Sequence, residues 1–461
     1  MSGAVALPLT EPELSFSAAG GTSVRRTLHP SGLRILTEQV PGAQSATIGF
    51  WIPAGSRDES PETLGSTHFL EHLLFKGTAT RTALDIAVAF DSVGGEHNAV
   101  TAKEYTCYYA KVRDLHLPMA VEVLADMVAG SLIDPDEFEM EREVILEELA
   151  MAADDPGDVV NERAFEAVLG EHPLGRPIGG DAGTIGAATR DAVYRHYRAE
   201  YRPENLIVTA AGGLHHDVLV AELVAALSAS GWDMSAPGSP VDRRSGAATS
   251  LGEGVPLVVV DRPIEQEHVL LVAPSITAGD PRRPVMSVLS AALGGGMSSR
   301  LFQEIRERRG LAYSVHSFAA SFSDAGVFGM YAACAPAKAR SVAELMQGQL
   351  AEFARDGLVP GELERAVGQL SGTSALALED SDVRMSRLGR SEITTGEFVD
   401  LDESLRRFEA VTAEQVQALA EELAAAPWSL AAVGPVAAAD LAGLALQQVL
   451  ADSSLAAPIG G

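Results

Sequence analysis

The chain has 461 residues, 46% of them hydrophobic and 21% charged, an ordinary globular composition too long for one core, so two or more domains are expected. Its formal net charge of -29 argues against nucleic acid or an anionic membrane surface as partner, because phosphate binding needs a basic face. Neutral or basic peptides are compatible with that charge, and acidity that only keeps the protein in solution explains it equally well.

Two cysteines, Cys107 and Cys334, are too few and too scattered for a disulfide framework and read as small buried residues. The sequence shows no secretory or transit signal at its start and no apolar stretch long enough to span a bilayer, so the expected location is the cytoplasm.

In chain order, residues 25–37 and 46–52 read as strands, the second closed by Pro53 and a polar turn. Residues 66–78, Ser-Thr-His-Phe-Leu-Glu-His-Leu-Leu-Phe-Lys-Gly-Thr, read as a helix with Ser66 or Thr67 as its cap and Lys76-Gly77 as its end. At about 100° per residue, His72 lies about 40° round from His68, and Glu71 about 60° to the other side, so all three share one face. Two imidazoles one turn apart chelate Zn²⁺, and a carboxylate beside them that is not a ligand can accept a proton from water. Chance supplies such a spacing in about one chain in fifty of this composition, so the motif alone does not decide.

Residues 82–93 form an expected helix broken by Gly94-Gly95, and residues 96–112, rich in Thr, Tyr and Val, two strands with a turn near 102–104, in which Asn98 by itself reads as a turn residue. Residues 136–153 are rich in helix formers. Glu141 and Glu148, seven apart, fall about 20° from one another on one face with Val144 and Ile145 between them. Carboxylates that share a face with aliphatics have a reason to be buried, whereas Glu139, Glu143 and Glu147 read as a solvated face.

The segment His-Phe-Leu-Glu-His-Leu-Leu-Phe-Lys-Gly-Thr, with Glu-Arg-Glu-Val-Ile-Leu-Glu-Glu downstream, closely resembles the pitrilysin or insulinase family of inverted-motif zinc peptidases, nearest the mitochondrial processing peptidase type and its bacterial relatives. The resemblance covers nearly the whole chain. It implies His68, His72 and Glu148 as zinc ligands, Glu71 as general base, and Glu141 as a carboxylate that orients a ligand. It also implies that Asn98 and Ala99 hold substrate backbone on an exposed edge strand, where main-chain hydrogen bonds give affinity with little demand on sequence.

Further along, residues 115–169 read as helical with breaks at Asp134-Pro135 and at residues 154–157, residues 190–201 as a helix and residues 205–211 as a buried strand. His172 sits in a loop and reads as structural, since three ligands already leave the open position that a catalytic zinc needs. Residues 229–255, rich in Ser, Gly, Pro and Ala, read as a linker between domains at 1–228 and 256–461. The second half repeats the plan of the first, which implies a duplication. Aligning the halves places Ser287, Ser290 and Ala291 opposite His68, Glu71 and His72, so the second helix carries no ligands. The run from Gly294 to Tyr313 resembles the family segment that reaches the zinc, which implies Arg306 and Tyr313 as donors to substrate carbonyls and to the oxyanion. The alternative reading is that Arg300, Arg306, Arg308 and Arg309 line a solvated helix, with Tyr313 in a core.

The expected fold is α+β: two homologous units, each a mainly antiparallel sheet covered by helices, facing each other across a cavity. The expected function is a zinc-dependent metalloendopeptidase acting on peptides or unfolded segments bound as extended strands, with one Zn²⁺ per chain and a homodimeric assembly. The alternative is a noncatalytic scaffold subunit of a processing-peptidase-like heterodimer; such relatives usually lack ligands or the base, which are all present here. A purely structural zinc site is disfavoured by the absence of a four-ligand, Cys-rich set.

Overall fold

The structure, a computed structural model, describes residues 3–244, 246–251 and 254–444. The last 17 positions of the expected second domain, and three positions of the expected linker, lie outside the described residues. Two sheets organise the chain, and their central strands are apolar on both faces. In strand Ser45–Ile52, Ala46, Ile48, Phe50 and Ile52 enter one core, while Trp51 enters another. In strand Glu267–Pro274, Val269 and Leu271 likewise oppose Leu270 and Val272. Each sheet must therefore be covered twice.

The first compact unit takes the described residues up to 150, with 177–244 and 374–404. Its seven-stranded sheet runs Glu13–Ala18, Thr22–Leu28, Arg34–Gln39, Ile207–Gly212, Ser45–Ile52, Thr106–Arg113, Glu96–Thr101. Neighbours are antiparallel except Arg34–Gln39 with Ile207–Gly212. The single strand expected over residues 25–37 is a hairpin, because Pro30 and Gly32, the latter at φ 89°, turn the chain between two strands. One face packs on helices Leu117–Gly130 and Ser66–Leu74 through Phe50, Phe69, Leu73 and Leu124. The other is closed by helix Ser381–Arg390, whose Met385 and Leu388 meet Leu36, Trp51, Cys107 and Ile207.

The second unit takes residues 151–176, the described part of 245–373, and 405–444. Its five strands run Ala312–Ser321, Gly326–Cys334, Glu267–Pro274, Ser429–Gly434, Leu257–Asp261, again with one parallel pair at the same place in the order, Ser429–Gly434 with Leu257–Asp261. This is the order of five strands of the first sheet, as a duplication requires. Helix Pro156–Leu169 covers one face, and helices Arg283–Gly294, Ala339–Asp356 and Ala413–Ala425 the other. The α+β class and the antiparallel-rich sheets are as expected.

The units trade segments across the boundaries expected at 228 and 256. Residues 151–176 belong to the second unit and residues 374–404 to the first. The stretch read as linker is also partly structured, since Trp232 and Met234 are buried in the first core. Both cysteines are buried free thiols, and among the described residues no helix is long and apolar enough to cross a membrane.

Candidate metal centre

Helix Ser66–Leu74 begins differently from the expectation. Its N-cap is Gly65 at φ 86°, with no side-chain cap from Ser66 or Thr67. The Glu59 carboxylate instead accepts the N–H groups of Gly65, at 2.8 Å, and of Thr67, at 2.6 Å, which satisfies orphan donors of the first turn. A Cβ at Gly65 would stand 2.6 Å from the Gly179 carbonyl oxygen as well as forcing a left-handed backbone. Gly65→Ala is therefore expected to cost about 1–3 kcal/mol in urea unfolding and to weaken metal binding, because the helix start carries His68.

Phe69, Leu70, Leu73 and Leu74 are buried and turn the remaining face outward. Phe69 stacks on Phe138 of helix Pro135–Asp154, ring centroids 4.3 Å apart and 4° from parallel, which clamps the two helices together. That clamp brings His68, His72 and Glu148 into one group, with a ligand atom from each lying within 4.8 Å of the others. His72 Nε2 is 3.3 Å and His68 Nε2 3.7 Å from the Glu148 carboxylate. A tetrahedral zinc with ligand bonds near 2.0–2.1 Å needs ligand atoms about 3.3 Å apart, so the residues fit that ion with small adjustments. Among the described residues no second group of three such side chains converges. In helix Arg283–Gly294 of the second unit, Ser290 bonds to Ser317 and Ser287 to the Arg283 carbonyl.

Burial, and secondarily the neighbouring His72, lower the His68 pKa, which keeps a lone pair for a metal. His72 Nδ1 lies 3.0 Å from the buried Glu141 carboxylate; with Nδ1–H donating there, Nε2 is the free ligand atom. Lys76 ion-pairs with the other Glu141 oxygen and holds the carboxylate in place. Glu141→Gln should therefore weaken zinc binding by about 10- to 100-fold, measurable by competition with a chromogenic chelator. Glu148, with 52% of its side chain exposed, leaves the group open to solvent on one side.

Glu71 sits between the two histidines on the same helix, and its carboxylate accepts a short hydrogen bond from Thr101 Oγ1. Thr101 ends strand Glu96–Thr101, which stands at the edge of the first sheet and, among the described residues, pairs only with Thr106–Arg113. Asn98 and Ala99 lie on that edge; Asn98 is exposed and its Oδ1 accepts the Ala99 N–H at 2.9 Å, so Asn98 is a strand residue and not a turn residue. In the second unit, Arg306 lies in a π-helical turn, Phe302–Glu307, with its guanidinium 4.5 Å from the Tyr313 ring centre and 4.7 Å from that of Phe302. Tyr313 is 77% exposed, so the alternative of a core tyrosine fails. His172 pairs with Asp324 at 3.5 Å and accepts the Leu174 N–H, which is the structural role expected of it.

Thr101, Lys76 and Glu59 were not singled out by the sequence. Lys76 reads in the sequence only as part of the helix end, Thr101 carries no signal of its own, and Glu59 precedes its helix by more than the usual capping offset.

The fold and the convergent group define a class: an α+β protein of two similar units, one bearing a glutamate and, on a helix of His-x-x-Glu-His order, two histidines that together could hold a metal ion. The profile described as "Insulinase (Peptidase family M16)" matches residues 34–182, and that described as "Peptidase M16 inactive domain" matches residues 187–370. An uncharacterized zinc protease of Streptomyces coelicolor is 47% identical over 90% of each chain. Those of Mycobacterium tuberculosis and Bacillus subtilis are 45% and 37% identical, over 90% and 89% of this chain and 94% and 98% of theirs. The chain belongs to the insulinase family, peptidase family M16. Among solved structures, a peptidase M16 inactive domain from Pseudomonas fluorescens matches with a TM-score of 0.78 at 20% identity, covering 93% of this chain and 99% of that one. A protease from Helicobacter pylori matches as well, with the same score and identity over 92% of this chain.

Proposed function

We propose that the protein is a zinc-dependent endopeptidase, with one zinc per chain held by His68, His72 and Glu148, acting on peptides or unfolded segments. The convergence of those three ligands beside Glu71 carries this reading. Relatives described as zinc proteases, similar over nine tenths of the chain, support it.

Zinc, when bound, supplies Lewis acidity to the scissile carbonyl and to water. Glu71 takes the proton of the attacking water and delivers it to the leaving amine. Thr101 fixes one oxygen of Glu71 and leaves the other for the proton. Substrate adds as a strand to the free edge at Glu96–Thr101, with Asn98 and Ala99 as its backbone partners; the Asn98 side chain must first release the Ala99 N–H. Arg306 and Tyr313, stacked on one another in the second unit, serve as the donors for the oxyanion, a role that rests on the family resemblance and on the exposure of Tyr313. The net charge of -29 favours basic peptides. A homodimer in the cytoplasm completes the proposal.

Thr101→Val should lower kcat by about tenfold with zinc content and KM unchanged, and Thr101→Ser should restore it. Equal loss in both variants would refute the positioning role. The function itself is tested with a quenched-fluorescent basic peptide. Cleavage that disappears on chelation and returns with added zinc supports the proposal, and zinc-loaded protein that leaves a panel of such peptides intact refutes it.

A further inference from the structure

In the first unit, away from the metal centre, three guanidinium groups surround one carboxylate. Arg26, Arg34 and Glu392 are each at most 1% exposed. Glu392 Oε1 meets Arg243 Nη2 at 2.9 Å and Arg34 Nη1 at 3.4 Å, and its Oε2 stands 3.5 Å from Arg26 Nε. Backbone carbonyls take more of the donors: Pro8 and Glu11 accept from Arg26, and Leu7 and Glu392 from Arg243. Even so, Nε and Nη2 of both Arg26 and Arg34 have no hydrogen-bond partner among the described residues. Three cations share one anion, and two of them are almost fully buried, an arrangement that costs free energy unless further negative charge is present.

Arg34 and Arg243 line a cavity of about 160 Å³, together with Pro53, Ala54, Ile207 and Ile393. The volume exceeds several times the share of one water, so a small ion and its hydration fit. Of the acidic residues at its wall, Asp58 is paired with Arg244 at 2.6 Å, Asp242 is exposed, and Glu200 accepts from Asn205 Nδ2 at 3.2 Å. Burial pushes Arg34 down to about 10, which still leaves it charged at neutral pH. Guanidinium forks are suited to chloride and to oxyanions alike.

We propose that this cavity binds a small inorganic anion, chloride or phosphate, held by Arg34 and Arg243 with Arg26 adding positive charge beside the shared Glu392. The site rests on residues that take no part in the peptidase proposal.

The experiment follows the melting temperature of the full-length protein at constant ionic strength while sodium gluconate, whose anion is too large for the cavity, is exchanged for sodium chloride or sodium phosphate. The expected result is a saturable rise of about 3 °C for at least one of the two small anions. A response to chloride alone identifies a halide site, and a response to phosphate alone an oxyanion site. The rise should vanish in Arg34→Met and in Arg243→Gln, the second being a milder change at a partly exposed residue. A linear, non-saturating response in the wild type overturns the proposal, as does an equal saturable rise in whichever variant folds.

Discussion

Glu71→Gln is expected to keep about one zinc per chain and to cleave at least roughly a hundredfold more slowly than the wild type. The substitution conserves shape, and the amide oxygen can still accept from Thr101, so the helix and the strand that it ties together should stay as they are. What is lost is the group that can take a proton beside His68 and His72. Glu71 does not belong to the group of converging ligand atoms, so metal content should not follow activity. Loss of zinc in the variant would make Glu71 a ligand and overturn the assignment. Retained cleavage would remove it from the chemistry. If wild type and variant both hold zinc and neither cleaves, a noncatalytic scaffold or a missing partner becomes the better reading.

Glu38→Ala should destabilise the protein by about 3 kcal/mol, near the lower end of what removal of one member of a buried ion network costs. Glu38 is fully buried on the sheet and accepts from Arg384 at 2.5 Å, Arg387 at 2.9 Å and Thr22 at 3.1 Å. Arg384 and Arg387 belong to helix Ser381–Arg390, distant in sequence but part of the same unit. Removing Glu38 leaves two guanidiniums without their carboxylate. Both retain some contact with solvent, which keeps the cost from being larger. Urea unfolding with a reduced midpoint would agree; a change under about 1 kcal/mol, the scale of an exposed pair, would mean that the helix does not depend on this anchor.

The reach of the sequence can be seen in these residues. Helix periodicity makes it legible that His68, Glu71 and His72 share one face, and that Glu141 and Glu148 share another, since seven residues make nearly two turns; the roles given to them come from the family resemblance. The two strands of residues 96–113 are legible because Thr, Tyr and Val are concentrated there on either side of a polar turn. What was not legible is non-local. An amphipathic helix states that it must cover an apolar face but not which one, so Pro156–Leu169 and Ser381–Arg390 could not be assigned to their sheets. The same limit hides Thr101 from Glu71 and Glu392 from Arg34, 358 residues apart. The hairpin within residues 25–37 was missed for a local reason, since Pro30 and Gly32 are turn residues that the apolar run around them obscured.

The central claim is that one zinc at His68, His72 and Glu148 makes this protein a peptidase. Its most direct test is to strip the metal with a chelator and titrate zinc back while following cleavage of a basic peptide. The account predicts that cleavage is abolished, returns in proportion to zinc, and saturates at about one equivalent per chain, whereas His72→Ala recovers nothing. Cleavage that survives chelation, or that returns equally in His72→Ala, would contradict it.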